Sequence, residues 1–192
     1  MTVVSDEVQP GLRERLQAAL APLFAWNGKR TLTLDAGTLS LTCAAPPGGP
    51  PASAELELLI DLAELAVADG CSTLDFDGEG IHHITGHDVS DPAVARTFVA
   101  MLDRLRLTRV EVVVREPRGT LVSDFPWLLW TDVRYDQEGK ARRCQELRLQ
   151  LCDRLYGLAQ VQNALLQHGK DARELGGVPK EFAWLIMGAL GL

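Results

Sequence analysis

Cys71-Ser-Thr-Leu-Asp-Phe-Asp-Gly-Glu-Gly-Ile-His-His-Ile-Thr-Gly86 is the stretch whose reading decides the fold. With His87 just beyond it, it holds three of the four histidines and the densest run of carboxylates in the chain. Thr73 to Asp77 alternates apolar and polar residues, Gly78 and Gly80 supply a turn, and Ile81 to Thr85 then reads as a returning strand. That pattern predicts a β-hairpin.

The flanking segments fit the same scheme. Upstream, Pro10 opens a predicted helix whose Leu12, Leu16, Ala19, Leu20 and Leu23 share one face, ended by Asn27-Gly28. Thr31 to Asp35 and Thr38 to Thr42 alternate around Ala36-Gly37 and predict a first hairpin, with Leu32, Leu34, Leu39 and Leu41 turned inward. The Pro- and Gly-rich segment from Ala44 to Ala52 is a surface connection, because proline donates no ladder hydrogen bond. Ser53 then caps a helix with an apolar stripe at Leu56, Leu59, Ile60, Ala63 and Val67 and an acidic stripe at Glu57, Asp61 and Glu64.

Downstream, Asp91 is a cap and Pro92 a first helical residue, ahead of an apolar face at Val94, Phe98, Met101, Leu102 and Leu105. Val110, Val112 and Val114 alternate with charged residues, and Glu116-Pro-Arg-Gly119 turns the chain into Thr120-Leu-Val-Ser123. Helix, strand, strand therefore recurs three times at a spacing of roughly 40 residues. The expected class is α+β: repeated helix-strand-strand units forming a mainly antiparallel sheet with helices on one face, followed by a helical C-terminal extension.

Two regions are expected on this reading, a core over residues 1–123 and an aromatic linker with a helical region over 124–192. Phe125, Trp127, Trp130 and Tyr135 crowd the linker. Cys144, Leu147, Leu151, Leu155, Leu158, Val161 and Leu165 step by three and four and predict one long helix over 137–167, basic along its first half. Pro179 opens a last helix in which Phe182, Trp184 and Met187 belong to a nearly all-apolar surface. Such a helix must be covered by its own core or by a partner.

Composition bounds the function classes. The chain has 192 residues, 46% of them hydrophobic, enough for one substantial core. The formal charge of −7 is divided unevenly: residues 1–95 carry 4 Lys/Arg against 14 Asp/Glu, and residues 96–192 carry 15 against 12. The two halves can attract one another within a chain or across a dimer. An acidic total disfavours nonspecific nucleic-acid binding, which needs clustered cations facing phosphates, so no nucleic acid is expected as a partner. Four well-separated cysteines without a Cys-x-x-Cys pair signal neither a zinc knuckle nor a redox couple. The polar, acidic residues 1–10 do not read as a secretory signal, and the apolar run from Phe182 to Leu192 is about half a bilayer span. A cytoplasmic protein with reduced thiols and no transmembrane segment is the expectation.

Three constellations bear on chemistry. Asp75-Phe-Asp-Gly-Glu-Gly80 places oxygen ligands and a glycine as a calcium loop does, but Gly86 stands where the bidentate glutamate belongs, and the flanks read as strands. His83, His87 and Asp88 are the candidate metal ligands; in a strand, His82 and His83 face opposite ways, so only one of them can join His87. No nucleophile elbow, phosphate-binding loop or dinucleotide fingerprint is present, and no cofactor is expected.

Gly80-Ile-His-His-Ile-Thr85, followed by a helix near Ala93 to Leu105 and a strand at Val110, resembles the opening of a vicinal-oxygen-chelate module, the fold of glyoxalases and extradiol dioxygenases. That resemblance implies a metal ligand at His83, in preference to His82. It covers about six residues well, and the chain then departs from the family by turning helical instead of adding three strands and a second module.

The leading expectation is a non-enzymatic protein-interaction or assembly module that binds a protein partner or itself through Phe125, Trp127, Trp130, Phe182, Trp184 and Met187. The alternative is a metal-dependent small-molecule enzyme built on the histidine hairpin.

Overall fold

The computed structural model describes residues 11–35, 37–86, 88–138 and 141–168. Helix α1 (Leu12–Leu20) runs into a 3-10 turn (Ala21–Phe24) and then the hairpin β1 (Thr31–Asp35) and β2 (Leu39–Ala44). Leu16, Leu20 and Leu23 are buried along the expected face, as are Leu39, Leu41 and Cys43 along β2. Gly37 has φ +75° in the connecting turn, where its N–H donates to Asp35 Oδ1. Helix α2 (Ser53–Asp69) follows the proline-rich connection.

The third expected unit also forms. The Asp91 carboxylate accepts the Ala93 N–H at 2.7 Å and caps α4 (Pro92–Leu107), which leads to β4 (Arg109–Glu116) and β5 (Gly119–Pro126). β2 pairs antiparallel with β4, Leu41 opposite Val112, so the two hairpins join into one sheet ordered β1-β2-β4-β5.

The middle unit breaks the repeat. β3 (Thr73–Asp77) is a strand, but residues 78–85, expected as its returning partner, form helix α3 (Gly78–Thr85). Asp77 Oδ1 accepts the Gly80 N–H at 2.8 Å, and Gly86 closes the helix at φ +64° with its N–H on the His82 carbonyl. Ile81 and Ile84 decide the outcome. Spaced by three, they fall on opposite sides of a strand but on one side of a helix, and Ile81 is fully buried with Ile84 packed against the core. The expected threefold helix-strand-strand repeat is therefore not what the described residues show: the middle segment runs helix, strand, helix.

The expected long helix over 137–167 is half strand. β6 (Leu128–Glu138) and β7 (Ala141–Leu151) form an antiparallel ladder with β3 on the far side of β7, a second sheet ordered β3-β7-β6. Among the described residues of this stretch, only 153–168 are helical, as α5 (Asp153–His168). Leu149 is the residue the helical spacing left out: Leu147, Leu149 and Leu151 alternate with Glu146, Arg148 and Gln150, and all three leucines are buried. The step of three from Cys144 to Leu147, which mimics helix, comes from a register shift at Arg134/Tyr135 opposite Glu146 and Cys144. β5 crosses position 123 without interruption, and the apolar segment containing Phe182, Trp184 and Met187 lies outside the described residues.

Both sheets and the helices share one core. α2 is its axis, burying Leu58, Leu62 and Ala66 in addition to the expected Leu56, Leu59, Ile60 and Ala63. It touches α1, α3, α4, α5 and β3. At its start Ser53 is already helical, and the cap is half of a capping box: Glu55 Oε2 accepts the Ala52 N–H at 2.8 Å. The same carboxylate, 2% exposed, pairs with Arg104 of α4 through the guanidinium Nε at 2.5 Å. This pair and Arg148–Asp75 at 2.8 Å link the acidic first half of the chain to the basic second half. Among the described residues, no helix is long and apolar enough to cross a membrane.

Candidate interaction surface

Of the aromatic residues expected at an interface, Trp127 is interior. It is the hinge between the sheets, joining β5 to β6, and its carbonyl accepts the Cys152 N–H where β7 ends. Its ring stacks on Phe24 at 5.9 Å and takes the edge of Phe125 at 6.2 Å. Phe125 is half-buried beside it. Trp130 lies on the outer side of the second sheet, donating to Gln150 Oε1 at 2.7 Å under the Arg148 guanidinium, 5.8 Å from the ring centroid.

The described residues of the histidine stretch present no assembled centre. His82 and His83 are neighbours on the last turn of α3 and both are exposed, instead of facing apart as they would in a strand. Asp88 lies past the helix, accepting the Ser90 N–H at 2.9 Å, and His87 is outside the described residues. Asp77 is occupied as a helix cap and Asp75 by Arg148. Among the described residues, no group of three His, Cys, Asp or Glu side chains converges as metal ligands would. The thiols of Cys43 and Cys152 are pushed up by burial to about 12 and about 11, and that of Cys144 is raised for the same reason. Cys71 alone is exposed.

Two features remain open. One is a groove of about 480 Å³ between α2 and α4, lined by Leu58, Val94, Phe98 and Met101 and by Ile84 of α3. Glu57 and Asp61 also line it, and both are held by Arg13 of α1, at 2.5 Å each. Arg13 reaches Glu64 as well, at 3.2 Å, so the acidic stripe read from the sequence serves to dock α1. The hydrogen bond to Asp61 is the main reason the Arg13 guanidinium holds its proton even more firmly than usual.

The second is β5. It forms one end of its sheet, and its other flank has no strand among the described residues. Leu121 is 48% exposed and Val122 56%. Register with β4 places Leu121, Ser123 and Phe125 on the side of buried Val110 and Val112, and Thr120, Val122 and Asp124 on the opposite side. The Arg115 N–H donates to the Thr38 carbonyl at 2.6 Å, so Arg115 directs its backbone polar groups to the β2 side and Val114 and Val112 direct theirs to β5. By the same alternation Leu121 and Ser123 bond to β4, while Thr120, Val122 and Asp124 point their N–H and C=O groups outward. Pro126 has the outward parity and no N–H, which ends the free edge. The signal was available in the sequence: from Gly119 to Phe125 there is no Lys, Arg or Pro to blunt an edge.

No known protein family and no curated protein matches this chain. Among solved structures it is similar to a selenomethionine crystal structure of domains 2 and 3 of RctB: 13% identity, TM-score 0.59, over 93% of this chain and 70% of that one. A second structure of RctB domains 2–3 matches at 14% identity and TM-score 0.50, over 70% of this chain and 59% of that one. At these identities the likeness shows a shared fold and nothing finer.

Proposed function

We infer that this protein is a non-enzymatic protein-interaction module that binds through the free edge of β5. The supporting observation is the combination of unpaired outward backbone groups with exposed Leu121 and Val122 on one strand. Backbone donors and acceptors along an open edge supply affinity to any extended segment laid beside them, and the exposed side chains supply selectivity. Leu121 and Val122 lie on opposite faces of β5, so a strand added there covers apolar surface on both sides of the sheet.

Nucleic acid is not the partner on this reading. Arg13, Arg104, Arg134 and Arg148 each face a carboxylate, which compensates those four charges within the chain. A photo-crosslinking amino acid at position 121 tests the proposal in cells expressing the protein. Adducts that disappear when Val122→Pro removes an outward N–H support it. The absence of any adduct, or adducts indifferent to Val122→Pro, overturns it.

A further inference from the structure

We propose that the segment seated on β5 is β5 of a second copy of this chain, paired antiparallel about a two-fold axis through Val122. This rests on the reading of β5 as the binding edge and names its partner. The register follows from where the edge starts and stops. The Pro117-Arg118 turn bounds it on one side and Pro126, lacking an N–H, bounds it on the other. The window between them runs from Gly119 to Phe125, and Val122 is its midpoint. A strand that pairs with its own copy must be self-complementary about that midpoint, because in an isologous contact each residue i that meets j also has j meeting i.

Every pair in this register fits. Val122 meets the partner's Val122, both carrying outward backbone groups, so their N–H and C=O bond reciprocally, and the two β-branched side chains touch on one face with Val113 beside them. Thr120 meets the partner's Asp124 as a second bonded pair on that same face, where the hydroxyl can donate to the carboxylate. Leu121 meets the partner's Ser123 on the opposite face, and Gly119 meets the partner's Phe125, whose ring covers the strand at the residue that has no side chain. Charge has the matching symmetry. Arg115, Glu116 and Arg118 leave the turn end of the window net positive, while Arg109, Glu111 and Asp124 leave the other end net negative. The two-fold axis brings unlike ends together. The Arg109–Asp124 pair, at 3.7 Å and with both side chains more than half exposed, leaves Asp124 open to the partner's Thr120.

The other strand ends compare poorly. β1 and β3 have five residues each, and β6 carries two register shifts that interrupt a flat edge. β5 has eight residues and no shift in its ladder. An edge pairing alone covers less surface than a standard interface, so a reversible dimer at micromolar or higher concentration is the form expected.

The test is disulfide mapping in a Cys71→Ser background, which removes the exposed native thiol. In a bonded antiparallel pair, Cα atoms at the two-fold axis are about 5.5 Å apart, within disulfide range. Val122→Cys should give a covalent dimer on mild copper-catalysed air oxidation. Thr120→Cys alone should not, while a mixture of Thr120→Cys and Asp124→Cys should give the mixed dimer. Sedimentation over about 5 to 500 µM should show a monomer-dimer equilibrium weakened at least tenfold by Val122→Pro. Failure of Val122→Cys to cross-link, equal cross-linking from all single variants, or species that grow beyond a dimer would each overturn the self-pairing. If position 121 captures other proteins and never this chain, the self-pairing falls while β5 stands as a binding edge; if it captures nothing, both fall.

Discussion

The two sheets of this protein finish in different ways. The first ends on β5, regular over eight residues, with its outward backbone groups unpaired among the described residues and Leu121 and Val122 exposed. The second ends on β6, a longer strand with two register shifts, in a sheet whose outer face carries compensated charges, Arg134 of β6 on Glu146 and Arg148 of β7 on Asp75 of β3. Both sheets bury one face in the same core, so the contrast does not concern stability. On the proposed pairing, the regular edge is left without blunting because a strand meets it, whereas the other edge is interrupted by its register shifts.

Mutations can break this contrast or sharpen it. Leu149→Ala, at the centre of the second sheet, should cost about 3 kcal/mol because it empties a fully buried site between β3 and β6, as read by denaturant unfolding. Glu55→Ala should cost about 2 kcal/mol by the same measurement, since it leaves Arg104 without its partner and Ala52 without its cap. The figure is below that for a fully enclosed pair because the Arg104 side chain is 28% exposed. A loss above that of Leu149→Ala would make the α2–α4 clasp, not the second sheet, the main support of the fold.

Alkaline titration treats the sheets alike. Cys43 of the first sheet and Cys152 at the end of the second keep their protons when folded to about 12 and about 11, whereas an unburied thiol loses its proton near 9. The unfolded state releases protons first, so stability is intact below pH 9 and falls as pH rises towards 11 and 12, by about 1.4 kcal/mol per pH unit for each thiol. Thermal midpoints flat from pH 7 to 9 and declining above it are the expected result. At pH 7.5 a thiol reagent should label Cys71 in the native protein and the other three only on unfolding. The smallest effect is expected at the free edge: Val122→Thr should change stability by less than about 0.5 kcal/mol while weakening association. Metal analysis of the purified protein is expected to find none at stoichiometric level; a stoichiometric transition metal would return attention to His83, His87 and Asp88.

How much was legible depended on sequence distance. The first sheet is built from two local hairpins, whose alternation and turn residues lie side by side in the chain, and its strands were readable apart from the pairing of β2 with β4. The second joins β3 to β7 across more than 60 residues, and no local pattern announces such a partner. Without that partner, the spacing in β7 fits a helical period, because a bulge between Cys144 and Leu147 adds a step of three. Over Gly78 to Thr85 the chain does carry local helix signals: the Asp77 cap, the Ile81–Ile84 spacing and the Gly86 stop. Trp127 illustrates a different limit: an aromatic cluster at a strand junction reads the same whether it faces a partner or fills a core, and only Phe24, a hundred residues earlier, distinguishes them. The free edge of β5 leaves a local sign, the absence of Lys, Arg and Pro from Gly119 to Phe125, but which flank of the strand is open follows only from the pairing of the others.

Residue-resolved amide hydrogen exchange tests the central claim most directly. At low concentration the Leu121 and Ser123 amides should exchange slowly, while Thr120, Val122 and Asp124 exchange quickly; raising the concentration should slow those three together. Outward amides that stay fast at every concentration and in the presence of any cross-linked partner, or that are already protected in the dilute monomer, would contradict the account.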